Sequence, residues 1–249
     1  MSSSFADHFS QVAARYAAYR PRYPAALVDA LAERADPAGV AWDVGCGNGQ
    51  LSVALAERFA RVIATDPARA QLDEAPAHPR VEYRCVSAEA SGLPDRSVAL
   101  VVAAQAAHWF DWPRFVAEVE RVAAPGALVA LVSYGILVVD GAAGAEIDRY
   151  YHGVAGPCWP PGRHHVENGY RDLAMPWPAV DAPPIEMTAA WTRDELVGYV
   201  TSWSATARLV KAQGTGPFDA FSAALAAAWP DEGERRLVRW PLLVRLARR

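Results

Sequence analysis

Apolar and polar positions switch between two periods along the chain, and the switches mark the elements. Phe5, Phe9, Val12, Tyr16 and Tyr19 recur at helical spacing until the prolines of "YRPRYP" interrupt them. From Pro24 to Ala35, Leu27, Val28 and Leu31 share one face of a second predicted helix, with proline near its start. Next, "VAWDV", "RVIAT", "VEYRCV", "SVALVVAAQ" and "ALVALVS" read as strands. Helical spacing separates them over 50–59, 68–74 and 113–122, the last opened by Asp111 as N-cap. "SVALVVAAQ" is almost continuously apolar, as a strand buried on both faces must be. Alternating strand and helix with short connections predicts an α/β fold with a mostly parallel sheet and helices on both faces.

After Tyr134 the pattern breaks. Residues 135–184 are rich in Gly, Pro, His and aromatics and predict an insertion over the open end of the sheet, where ligands of such folds bind. "IEMTAAW" then reads as a strand, 193–207 and 217–228 as helices, and "RLVRWPLLVRLARR" as a closing strand. Pro241 in that strand suits an edge or a strand start. With no repeat and no linker, one domain is expected: an N-terminal helical lid over 1–35, a core over 36–134, a cap over 135–184, and the remaining strands and helices over 185–249.

Composition narrows the function. A chain of 249 residues with 52% hydrophobic and 21% charged positions has the balance of a soluble globular protein. A net charge of −4 gives no basic field for nucleic acid or an anionic membrane. The arginines between Arg235 and Arg249 alternate with Leu and Val as on a half-exposed strand. Cys46, Cys85 and Cys158 are far apart and form no CxxC, so reduced thiols and a cytoplasmic location are expected. No apolar run reaches about 18 residues, and the N-terminus lacks signal-peptide regions. His164 and His165 are adjacent, without a helical i, i+4 partner, so no metal is expected.

The chemistry concentrates in "WDVGCGNGQ". Gly45, Gly47 and Gly49 are spaced GxGxG, and Gln50 stands where the dinucleotide fingerprint has its third glycine. A shorter turn suits a ligand without a pyrophosphate. Asp66 ends the second strand, where a carboxylate can accept two hydrogen bonds from a ribose diol.

"WDVGCGNGQ" resembles the first motif of the class I S-adenosylmethionine-dependent methyltransferases of the type 11 domain kind. "IATD" and "CVSAEASGLPDRSVALVVAAQAAHWF" are similar to their later motifs, over about residues 35–134. "YAAYRPRYP", "HWFD" and "TSWSA" resemble the small-molecule branch that includes trans-aconitate methyltransferases. The resemblance implies a Rossmann-like, seven-stranded, mostly parallel sheet with N-terminal helices and an inserted cap. It also implies S-adenosylmethionine as cofactor, S-adenosylhomocysteine as product, and a small-molecule acceptor. By it, Gly45, Gly47 and the backbone near Asp43 cradle the methionine end, Asp66 takes the ribose hydroxyls and Pro67 lies against the adenine. Ala88 and Glu89 flank the base, Gln105 sits where the methyl points, and Tyr16, Tyr19 and Arg20 fold over the cofactor.

A sulfonium methyl is already activated, so the protein must chiefly place a nucleophile behind it in a dry pocket. His108, just past the fourth strand, is the candidate base or hydrogen-bond donor. Trp109 and Phe110 are candidate pocket walls, and Trp159, Arg163 and Tyr170 candidate acceptor contacts. Arg22 and Arg163 could clamp a carboxylate. O-methylation of a carboxylate is the favoured reading. A phenol, an amine, a lipid, a carrier-bound acyl group and a non-catalytic cofactor-binding regulator are the alternatives.

Overall fold

The computed structural model describes residues 21–249. Backbone packing divides them into two compact units. One joins Ile136–Pro161 to Thr188–Trp240; the other joins Arg22–Gly135, Gly162–Met187 and Pro241–Arg249.

In the larger unit the two periods of the sequence become layers. Strands β1 (Val40–Val44), β2 (Arg61–Thr65), β3 (Val81–Arg84), β4 (Val98–Ala104) and β5 (Ala123–Tyr134) pair in parallel in the order β3-β2-β1-β4-β5. The order reverses between β1 and β4, the switch point beside which α/β folds bind ligands at the carboxyl ends of the strands. Helices α1 (Ala25–Ala32) and α2 (Gln50–Ala56) cover one face, setting Leu27, Leu31, Leu51 and Leu55 against Ala41, Val62, Leu100 and Leu128. A short α3 spans Arg69–Leu72. Helix α4 (Trp112–Val122) covers the other face, its Phe115, Val119 and Val122 meeting Trp42, Val101 and Val129. Asp111 caps α4 as its side chain accepts from the Arg114 amide at 3.4 Å.

Among the described residues the sheet has eight strands, not the seven that the resemblance implies. The sequence did not suggest β6 (Ala179–Val180): two residues between prolines are too short for a period of two to show. Strand β7 (Glu186–Trp191) pairs with β8 (Arg236–Arg248), and β8 runs antiparallel to β5. Pro241 lies inside β8, yet its ladder to β5 starts at Leu242, so the missing N–H leaves no gap there. The Pro241 carbonyl accepts from Gly135 at 3.4 Å.

The segment expected as a single cap over 135–184 is divided between the units after Pro161. Its first part holds α5 (Ala142–Asp148), continued by a π-helical stretch over Arg149–Val154; its second holds α6 (Arg163–Glu167). The helix expected over 193–207 is two helices, α7 (Arg193–Thr201) and α8 (Ser204–Gln213), followed by α9 (Gly216–Ala228). The break falls at Trp203, whose extended backbone turns its ring into the smaller unit's core beside Tyr150, Tyr151 and Tyr199. There Tyr150 stacks on Phe221 at 4.3 Å and bonds Thr206 at 3.2 Å. Among the described residues no helix is long and apolar enough to cross a membrane.

Candidate functional site

The turn after β1 is built for close backbone approach. Gly45, Gly47 and Gly49 have φ of 69°, 56° and 77°, the left-handed region that costs glycine nothing. A Cβ on Gly45 would stand 2.5 Å from that of Ala106. The amides of Gly45 and Cys46 both donate to the Thr65 carbonyl, at 2.8 and 3.0 Å, and the buried Trp42 indole donates to the Thr65 hydroxyl at 2.9 Å. The ends of β1 and β2 are thereby locked side by side.

Asp66 follows β2. One carboxylate oxygen accepts from the Gly47 amide at 2.9 Å and the other from the Ala68 amide at 2.8 Å. Each oxygen keeps a second lone pair, and the residue is half-exposed, which suits a diol presented from solvent. Pro67 beside it is exposed. Asp43 is the electrostatic opposite. It is buried, and its carboxylate accepts from the Ser52 hydroxyl at 2.6 Å. Burial, aided by the Asp66 charge, pushes it up to about 7 against the pull of that hydrogen bond. Burial likewise raises the Cys46 thiol, leaving it protonated. A turn of glycine backbone and an acid with spare acceptors fit an adenosyl ligand.

Ala88 is buried, and the Glu89 carboxylate accepts from the Asp111 amide at 2.9 Å, tying its loop to the start of α4. Gln105, at the end of β4, has a φ of 56°, strained for a residue with a side chain. Its side-chain amide donates to the Tyr134 carbonyl at 2.9 Å, holding that backbone at the rim of the sheet.

His108 sits in the short turn Ala107–Trp109 with its Nδ1 3.1 Å from the Tyr170 hydroxyl. Burial, then the charges of Arg163 and His165, push its pKa down to about 4. Tyr170, expected as an acceptor contact, is fully buried, and burial raises its phenol. Trp109 is 68% exposed and lies 4.8 Å from the His108 ring, while Phe110 packs on Phe115 at 4.9 Å. Arg163 lies on α6, 3.5 Å from Glu167. Arg22 is exposed. Trp159 belongs to the smaller unit and packs on Tyr151 and Trp203 at 4.9 and 5.7 Å. Tyr16, Tyr19 and Arg20 lie outside the described residues.

Ser52, Thr65 and Arg245 support the site without having been singled out from the sequence. Ser52 was findable, two positions into the helix that follows the glycine turn. Arg245 reads only as one of several arginines alternating along a strand. The paired histidines have an acidic neighbour that is not at helical i, i+4 spacing. Asp172, beyond the end of α6, lies 2.6 Å from His165 and 3.4 Å from His164, and the three donor atoms gather within 4.8 Å. Helical spacing alone did not reveal it, because the chain turns back after Gly169.

Comparison with known proteins agrees with this geometry. Residues 42–131 match the family of the methyltransferase domain. A Dictyostelium discoideum protein named as a methyltransferase is 31% identical over 214 residues, covering 84% of this chain and 81% of its own. A Mycobacterium tuberculosis protein named as an uncharacterized methyltransferase is 38% identical over 125 residues, about half of each chain. A solved structure from Anaeromyxobacter dehalogenans, named as a type II methyltransferase, is 48% identical with a TM-score of 0.87. That match covers 92% of this chain and 97% of the other.

Proposed function

We propose, from the premise that this chain belongs to the class I S-adenosylmethionine-dependent methyltransferases, that its acceptor is a small molecule with an already ionised oxygen, a carboxylate before others. When bound, S-adenosylmethionine supplies a methyl group on a sulfonium whose leaving group is a neutral thioether. Asp66 would accept the ribose hydroxyls, Gly45 and Gly47 would line the methionine portion beside Asp43, and Pro67, Ala88 and Glu89 would border the adenine. The strained backbone at Gln105 would face the methyl.

The acceptor class rests on His108, half-buried after β4 with its Nδ1 3.1 Å from the Tyr170 hydroxyl, its pKa pushed down by burial and then by the Arg163 charge. A base with a pKa of about 4 draws little from a phenol or an ammonium group, whose ordinary values lie near 10. A carboxylate needs no proton removed. It needs a cation and a donor to aim it, and Arg163, with Arg22 as second arm, supplies the cation in this reading. The resemblance to trans-aconitate methyltransferases in "YAAYRPRYP" and "HWFD" also favours a small acid.

Transfer of labelled methyl to a panel of small organic acids, phenols and amines tests the proposal. Acids should be labelled, and Arg163→Ala should raise KM for the acid while leaving cofactor affinity alone. Label confined to phenols or amines would remove the carboxylate reading.

A further inference from the structure

We infer that His108 is held as the neutral imidazole with its proton on Nε2, so that it offers the acceptor a hydrogen-bond donor and not a base, with Tyr170 as the positioning residue that fixes this form. The acceptor half of the inference rests on the proposed function above; the tautomer does not.

The Tyr170 hydroxyl is fully buried and has one hydrogen to give. Among the described residues its side-chain partner is Nδ1 of His108, at 3.1 Å. A proton on Nδ1 would make the phenol oxygen the acceptor and leave the buried phenol hydrogen with no acceptor among the described residues. The imidazolium fails for the same reason, and it would add a charge near Arg163. The form that satisfies both groups has Nδ1 accepting and Nε2 carrying the hydrogen.

Tyr170 has little freedom to step aside. Its φ of 59° follows Gly169 at 68°, so the chain is sharply turned there. Arg245 donates to the Tyr170 carbonyl and, at 2.9 Å, to the Leu173 carbonyl. The two ring planes lie 18° from parallel, with centroids 6.1 Å apart. Gly162 lies close to His108 as well, since a Cβ there would stand 3.3 Å from the His108 carbonyl oxygen. Among the described residues Nε2 has no hydrogen-bond partner. The charged or titratable groups acting on the ring are Arg163 and His165 of α6, both opposing protonation, together with Tyr170. An N–H beside Arg163 is complementary to an anionic oxygen, with the stronger bonding that charge brings. This also separates the roles: His108 would touch the acceptor, and Tyr170 would act only through His108.

The test is long-range proton–nitrogen correlation on the full-length protein with labelled histidine at pH 7, the His108 signal being identified by its loss in His108→Gln. The expected spectrum has Nε2 protonated and Nδ1 unprotonated; a proton on Nδ1, or an imidazolium, overturns the assignment. Tyr170→Phe keeps the ring and should let both tautomers populate, and an unchanged spectrum in that variant overturns the positioning role. If the variant fails to fold, the wild-type spectrum still decides the tautomer. With an acid acceptor, His108→Gln, which retains an N–H, should keep kcat/KM within roughly tenfold, whereas His108→Leu should lose roughly a hundredfold. Equal losses overturn the donor role. No transfer to any acid, with the Nε2 tautomer observed, counts against the acceptor reading and leaves the tautomer standing.

Discussion

Asp66 and Asp43 sit at the ends of neighbouring strands and do opposite work. Asp66 is half-exposed, each oxygen bound once by a backbone amide, so its free lone pairs face what comes from solvent. Asp66→Ala should weaken S-adenosylmethionine binding by roughly 1–3 kcal/mol, the range for a lost charged hydrogen bond, as measured by calorimetry; unchanged affinity would remove it from the site. Asp43 is buried with a pKa raised from 3.8 to about 7. The folded state therefore keeps a proton that the unfolded chain releases, and this group's contribution to stability falls as pH rises across that window. His108 has the opposite sign. Its folded pKa of about 4 lies below the ordinary 6.5, so its contribution is full above 6.5 and is lost as pH falls toward 4. A cationic ligand favours the ionised form of Asp43, so cofactor affinity should rise from pH 5.5 to 7.5. Asp43→Asn should flatten that slope; a slope unchanged in the variant would assign it elsewhere.

At the scale of elements, the glycine turn is where the fold is least tolerant. Gly45→Ala would place a Cβ 2.5 Å from Ala106 on a backbone with φ of 69°. It should cost about 1–3 kcal/mol in denaturant unfolding, and no loss would mean that the turn relaxes. The approach to β4 depends on Glu118 of α4, which is buried and accepts from the Ser91 amide at 2.9 Å and from Arg121 at 2.7 Å. Glu118→Gln should destabilise the protein by about 1–3 kcal/mol on the same measurement, and no change would mean that the loop holds without it. β1 and β2 were legible to the residue because "VAWDV" and "RVIAT" are short apolar runs between turn signals. The break at Trp203 was not. "TSWSATARLV" has no Gly or Pro to announce a stop; there the Thr201 and Ser202 hydroxyls bond the Gly198 and Tyr199 carbonyls, and the indole that follows is buried among tyrosines.

For the whole molecule, what was readable follows the same division. The core with its switch point, the glycine turn and Asp66 are local in sequence, each motif carrying its own stop and start. The unit that joins Ile136–Pro161 to Thr188–Trp240 was not readable, because its core of Tyr150, Trp203 and Phe221 is assembled from segments far apart in the chain. The partnership of His108 with Tyr170 escaped for the same reason, since 62 positions separate two residues that meet at 3.1 Å. Tyr170 read as a candidate acceptor contact, and the fold buries it.

The central claim is that the glycine turn and Asp66 together hold the adenosyl sulfonium donor. Calorimetric titration of the wild-type protein and Asp66→Ala with S-adenosylmethionine tests it directly. The account predicts one saturable site in the wild type, weakened in the variant. No binding to the wild type, or equal binding to both, would contradict it.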